Sequence, residues 1–297
     1  MRFGVLGPLA VWTSEGRPVR VPEVKVRSLL ADLLIHAGRV VPADRLIDDL
    51  WGEALPANPA GALQTRVSQL RRALEDAEPG VGRALVVSRT PGYVLQVAPD
   101  AVDTGRFLEL TARARSTAEP RARAALFADA LALWRGEVLA DFADEEFARP
   151  EISRLTELRL TVLEEQAEAR LESGDHALLA DELGDLVARH PLRERLRAAQ
   201  LRALYRAGRQ SEALESYGVL RAQLADELGL DPGPELVALY ESILRQDAEL
   251  AGPPVPAPAA AGNLPAALGE LVGRESAVAE VGQLLAEGRL VTLTGPG

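Results

Sequence analysis

The sequence predicts a mainly α protein with a small α+β portion at its N-terminus, and three observations support this. Within LQTRVSQLRRAL, Leu63, Val67, Leu70 and Leu74 recur at helical spacing, and residues 63–73 contain no carboxylate. Two β-prone runs, 85–88 and 93–97, flank Arg89-Thr90-Pro91-Gly92, a Pro-Gly turn. Residues 100–250 are helical in pattern almost throughout, with Gly174 and Gly208 standing 34 residues apart in similar surroundings. Together these describe an N-terminal winged helix-turn-helix followed by an all-α tetratricopeptide-like array.

The elements follow in order. Residues 2–13 alternate and are rich in Val, Leu and Phe, Ser14-Glu15-Gly16 turns the chain, and 17–21 alternate again. This predicts a small antiparallel sheet. Residues 23–37 place Val26, Leu29, Leu30, Leu33 and Leu34 on one helical face and close at Gly38. Val40 and Val41 form a short extended piece. A second helix spans 42–51, with Leu46, Ile47 and Leu50 inward and Gly52 at its end. Pro56, Asn58 and Pro59 mark the loop into the third helix, 59–75. After Pro79-Gly80 comes the hairpin, the wing. The second helix supports the third.

Beyond residue 100, ALYRAGRQSEALESY surrounds Gly208 and EARLESGDHALLADEL surrounds Gly174. Leu204, Tyr205, Gly208, Ala213, Leu214 and Tyr217 fit the 34-residue helix-turn-helix repeat, and Pro191 falls between copies. A weaker copy, AALFADALALWRGEVL, covers 124–139. LGLDPGP, at 228–234, closes the array before a last helix over 235–247. Such stacks present a concave face to other protein segments. GPPVPAPAAA, at 252–261, reads as an extended linker. Leu271-Val272-Gly273-Arg274-Glu275 then precedes a short helix, and 290–293 read as a strand before Thr294-Gly295-Pro296-Gly297. The portions are 1–97, 100–250, a linker over 251–263, and 264–297.

Composition narrows the function. The 297 residues carry a net charge of −11, but unevenly. Residues 1–97 hold 12 Lys+Arg against 10 Asp+Glu, and the remainder 21 against 34. The first third is mildly basic and the rest acidic, as suits a weakly basic reader of a polyanion joined to a protein-facing module. With Cys 0 there is neither a disulfide framework nor a thiolate metal site. No apolar run approaches the ~18 residues of a membrane span. MRFGVLGPLAVW lacks the signal-peptide pattern, so a cytoplasmic protein without membrane contact is expected.

The acid-free helix carries the chemistry. Its leucine face belongs on a core, and its other side offers only cations and neutral hydrogen-bonding groups. That suits duplex DNA in the major groove. By wheel position Thr65, Ser68, Gln69 and Arg72 face base edges, while Gln64, Arg66 and Arg71 contact phosphates. Arg89 and Thr90 at the wing tip suit phosphate or minor-groove contact, and Lys25 and Arg27 are further phosphate candidates. A merely solvated amphipathic helix is the bland alternative, weakened by the supporting helix, the hairpin and the missing acids. His36, His176 and His190 are scattered, so no metal or acid–base role is expected of them. Asp44, Asp48 and Asp49 share an outer helical face, as a solvated face or a carboxylate metal site would. Trp12, Trp51 and Trp134 read as packing residues. No Ser/His/Asp or Cys/His arrangement stands out, so no enzyme is expected.

DRLIDDLWG, ALQTRVSQLRRALE and SRTPGYVL resemble the supporting helix, recognition helix and wing of OmpR/PhoB-type DNA-binding domains. ALALWRGEVLADF and GRQSEALESYGVLRAQLADELGLDPGPEL resemble the bacterial transcriptional activation domain. That order is similar to the Streptomyces antibiotic regulatory protein (SARP) family. The resemblance implies a sequence-specific activator, often of secondary-metabolite genes. It implies binding to direct repeats near the −35 element as two side-by-side copies, and engagement of RNA polymerase through the sigma factor's C-terminal region. It also implies a third reading of the Asp44, Asp48 and Asp49 patch, as a polymerase-facing surface. LVGRE followed by LVTLTGPG resembles the entrance to the ATPase domain of the larger, AfsR-like members. Gly295 would be the first glycine of a phosphate loop whose second glycine, Lys and Ser/Thr are absent here, so no bound cofactor is expected of this chain. ATP and Mg²⁺ would belong to a longer parent, and a longer protein cut at this point is the simplest account. The alternatives are a signalling P-loop ATPase with an accessory DNA-binding domain, and a tetratricopeptide scaffold whose winged helix makes protein contacts.

Overall fold

The structure is a computed structural model and describes residues 1–251 and 280–284. The chain divides into two compact units, Met1–Pro254 and Val255–Gly297. In the second, residues 280–284 are helical. The expected linker over 252–261, the Leu271 to Glu275 motif, the strand over 290–293 and Gly295 lie outside the described residues.

β1 (Arg2–Gly4) pairs antiparallel with β2 (Ala10–Trp12), with Phe3 opposite Val11. The sequence predicted one strand over 2–13 against a second over 17–21. The chain instead folds back around Gly7-Pro8, and the later stretch contributes a bridge of Pro18 to Trp12. Prolines 8 and 18 each remove a ladder donor, and the N–H groups of Val5, Leu6 and Leu9 are taken by the carboxylates of Asp103 and Asp141.

Three helices follow: α1 (Val24–Ile35), α2 (Ala43–Trp51) and α3 (Pro59–Ala77). The short turn of helix α4 (Gly82–Leu85) leads into the wing. β3 (Val41–Pro42), β4 (Val86–Arg89) and β5 (Gly92–Leu95) form an antiparallel sheet in the order β3-β5-β4. Position 92 admits only glycine, since a Cβ there would lie 1.9 Å from the Val41 carbonyl oxygen. Val26, Leu29, Leu30 and Leu33 of α1 meet Leu46 and Leu50 of α2 and the inner face of α3 in the core.

The helical part comprises α5 (Asp103–Ser116), α6 (Pro120–Leu131), α7 (Arg149–Glu172), α8 (Ala177–Arg189), α9 (Glu194–Arg206), α10 (Gln210–Leu228) and α11 (Pro234–Arg245). Gly174 ends α7 at φ 89° and Gly208 ends α9 at φ 77°, so the two equivalent glycines turn α7 into α8 and α9 into α10. The weaker copy over 124–139 does not form such a pair. Its helix stops at Leu131, because Arg135 N donates to Leu6 O (2.7 Å) and Leu139 N to Val5 O (3.0 Å). Those bonds pull the segment out of helix and onto the chain after β1.

One hydrophobic core runs from Phe3 through Phe107, Phe127 and Phe142 to Val162, so the winged helix and α5–α7 are packed continuously. A second core, Ala167 to Ile243, holds α8–α11. At the junction the buried Asp103 carboxylate accepts from Val5 N at 2.9 Å and Leu6 N at 3.0 Å, and pairs with Arg135 at 3.3 Å. Burial pushes its carboxyl above the usual aspartate range, against the pull of those donors. Arg135 also stacks on Trp12, 5.2 Å from the ring centroid. No described helix is long and apolar enough to cross a membrane.

Candidate nucleic-acid interface

α3 starts where its sequence says it should. Asn58 caps it by accepting from Gly61 N at 3.0 Å, and Pro59 fills the first helical position. Leu63, Val67, Leu70 and Leu74 are buried. Gln64, Thr65, Ser68 and Arg72 are exposed, and Arg66, Gln69 and Arg71 are half-buried at the edges of that face. The hydroxyls of Thr65 and Ser68 donate back to Gly61 O (2.9 Å) and Gln64 O (2.8 Å). With their protons committed to the helix, they present lone pairs outward, which suits the amino groups of adenine and cytosine. Arg72 makes no ion pair among the described residues.

Arg71 does something spacing could not show. Its Nε donates to Val86 O at 2.8 Å and its guanidinium to Ser88 Oγ at 2.9 Å, tying α3 to the first wing strand. Arg89 and Thr90 are exposed at the end of that hairpin. A hollow of about 590 Å³ on the same part of α3 is lined by Ser68, Arg71, Arg72 and Arg83 together with the carboxylates of Glu75 and Asp76. Glu75 is held below the usual carboxylate range by the N–H groups of Gly80 (2.7 Å) and Gly82 (3.0 Å), which fix the turn into α4. Arg83 is thus a third cation at the junction of helix and wing. Arg83 is not among the candidates that the spacing offers, and the one signal for it in the sequence is an arginine with no acid beside it in VGRALVV.

Arg66 and Gln69 are engaged. Arg66 pairs with Glu23 and donates to Gln69 Oε1 at 2.8 Å, and Gln69 Nε2 donates to Glu23 at 3.2 Å. Glu23 lies 43 residues before Arg66, and nothing in the local pattern announces it.

Two of the phosphate candidates lie against carboxylates of the chain itself. Arg27 pairs with Asp141 at 2.8 Å and lies over the Phe142 ring, so its charge ties α1 to the helical part. Lys25 lines a hollow of about 420 Å³ with Asp48, Asp49, Glu145 and Glu146. Four carboxylates would repel a phosphate there. Of the Asp44, Asp48 and Asp49 group, Asp49 also pairs with Arg45 at 3.3 Å, and burial raises its pKa. The described residues hold no cluster of three or more His, Cys, Asp or Glu side chains fit for a metal. Trp134 packs edge-on against Phe107, with Arg159 over its ring.

Comparison with known proteins identifies the two parts of the chain. Residues 18–95 match the family described as transcriptional regulatory protein, C terminal, and residues 102–244 match the bacterial transcriptional activator domain. The chain is 40% identical to the regulatory protein DnrI of Streptomyces peucetius, over 87% of this chain and 98% of that one. It is also 40% identical to the regulatory protein AfsR of Streptomyces coelicolor, over 96% of this chain, but spans only 29% of AfsR. Among solved structures it resembles Mycobacterium tuberculosis EmbR, solved with a low-affinity phosphopeptide. That match has a TM-score of 0.78 and 38% identity, covering 82% of this chain and 65% of that one.

Proposed function

This chain belongs to the SARP family of transcriptional regulators, and from that footing we propose that it is a sequence-specific, DNA-binding activator of transcription. One observation carries the reading. α3 buries its leucines and presents Thr65, Ser68 and Arg72 to solvent, beside a hairpin whose tip exposes Arg89 and Thr90. Residues 1–97 are the reading part. Thr65, Ser68, Gln69 and Arg72 meet base edges in the major groove, and Gln64, Arg71, Arg83 and Arg89 set register on phosphates. Lys25 and Arg27 are left out, for the contacts given above.

Residues 100–250 are the partner-facing part. Two copies sit side by side on a direct repeat near the −35 element, and the array engages RNA polymerase through its sigma factor. The acidic balance beyond residue 97 and the carboxylates around Lys25 suit a basic segment of such a partner. The matched families are those of regulators, and the reading needs no catalytic group.

Footprinting on the gene's own upstream region tests this. Wild-type protein should protect paired half-sites, and Arg72→Ala should weaken protection about 5- to 150-fold while relaxing the preference at one base step. No protected site at low salt, with either protein, would refute it.

A further inference from the structure

Glu23 precedes α1 with φ 60° and ψ 140°, a backbone conformation that is costly for any residue with a β-carbon. Its side chain does not cap its own helix. It reaches across to α3 instead, where one carboxylate oxygen pairs with Arg66 and the other accepts from Gln69 Nε2 at 3.2 Å. Arg66 also donates to Gln69 Oε1 at 2.8 Å, closing a ring of three side chains. Donor chemistry fixes the amide. A guanidinium only donates and a carboxylate only accepts, so the Gln69 oxygen must face Arg66 and its nitrogen must face Glu23. One lone pair and one N–H of that amide stay free, the two groups that adenine N6 and N7 require. Meanwhile the charge of Arg66 is offset, so it adds little to the attraction of this face for phosphates of any sequence.

We infer that Glu23 is a positioning residue that sets DNA specificity, its carboxylate orienting Gln69 for base contact and withholding Arg66 from the phosphates of arbitrary duplex. This rests on the reading of α3 as the DNA-facing helix. A strained backbone that serves no cap of its own helix, yet places a negative charge on a DNA-facing surface, is otherwise an expense without return. The carboxylate makes the surface less attractive to wrong sequences while preparing it for the right one.

The test compares the full chain with Glu23→Gln, Glu23→Gly and the double variant Glu23→Gln/Arg66→Ala. Two probes are used across a salt series: a duplex selected by the wild-type chain from a random-sequence pool, and a scrambled duplex of equal length. Glu23→Gln should bind the scrambled duplex about fivefold more tightly, with the salt slope steeper by about 1 as Arg66 joins the phosphate contacts. Its preference for the selected duplex should narrow about tenfold. Glu23→Gly should lose selectivity in the same way while melting at or above the wild-type temperature, because the backbone strain is relieved. The double variant should return scrambled-duplex affinity to the wild-type level. The inference is overturned if both single variants keep the wild-type preference and slope. It is also overturned if they weaken on both probes alike with a lowered melting temperature, as a purely structural role would give. A wild-type chain without preference for any duplex would remove the reading of α3 itself, and the inference with it.

Discussion

Replacing Arg71 by alanine separates two roles that the sequence merged. In the structure the side chain braces the wing, through Val86 O at 2.8 Å and Ser88 Oγ at 2.9 Å. Each such bond contributes a net ~0.5–1.5 kcal/mol, with charged donors at the upper end. The guanidinium is partly exposed, so solvent screening discounts that upper end. The expected cost is about 1–2 kcal/mol, which for a unit of this size lowers Tm by about 2–8 °C. If Arg71 also touches a phosphate, the slope of log K against log salt falls by about 0.9. Arg71→Lys keeps the charge but cannot reproduce the two-bond fork. It should therefore recover the salt slope and only a minor part of the stability. The assays are thermal and urea unfolding together with a salt series of DNA binding. An alanine variant that unfolds with the wild type refutes the brace. A lysine variant that recovers stability in full refutes the fork geometry.

Two further perturbations probe the joint and the core. Asp103→Ala strands the buried N–H groups of Val5 and Leu6 and leaves Arg135 without its carboxylate, at a cost of about 3–5 kcal/mol. An unchanged urea midpoint would show that the joint does not depend on it, and Asp103→Asn, with one oxygen left to accept, should fall between. His36 has its pKa raised, chiefly by its hydrogen bond with the buried Asp32, while burial and Arg45 oppose the shift. A raised histidine stabilises the fold while protonated, so this contribution is full below pH 6.5 and is lost as pH climbs through the folded-state value. His190 is shifted down by burial and has the opposite sign, so the informative quantity is the wild type minus His36→Gln between about pH 5.5 and 8. That difference should shrink with rising pH, and a difference that grows or stays flat would sink the assignment.

Much of the fold was legible because its signals are local. The leucine spacing of α3, the Asn58-Pro59 start and the Pro-Gly turn of the wing each act within a few residues, and all stand where the sequence put them. The glycines at 174 and 208 are legible for the same reason, since each ends its own helix. Residues 2–13 do not run as one strand, because Pro8 lacks a donor and the N–H groups of Val5, Leu6 and Leu9 go to the Asp103 and Asp141 carboxylates, partners that alternation cannot reveal. The 124–139 copy failed as a repeat because its backbone is claimed by Val5 and Leu6, partners with no trace in its own composition.

Sequence by itself thus determined the three helices of the N-terminal part, the wing and the outward side of α3, since burial of an apolar stripe leaves the opposite stripe no other place to go. Only tertiary structure decided how the charges are shared. Glu23 finds Arg66 across 43 positions, Asp103 finds Val5 across 98, and Arg27 finds Asp141 in the helical part. An arginine in an acidic chain has many carboxylates to choose from, and its choice is set by which elements pack together, a property of the whole core and not of its neighbours in sequence.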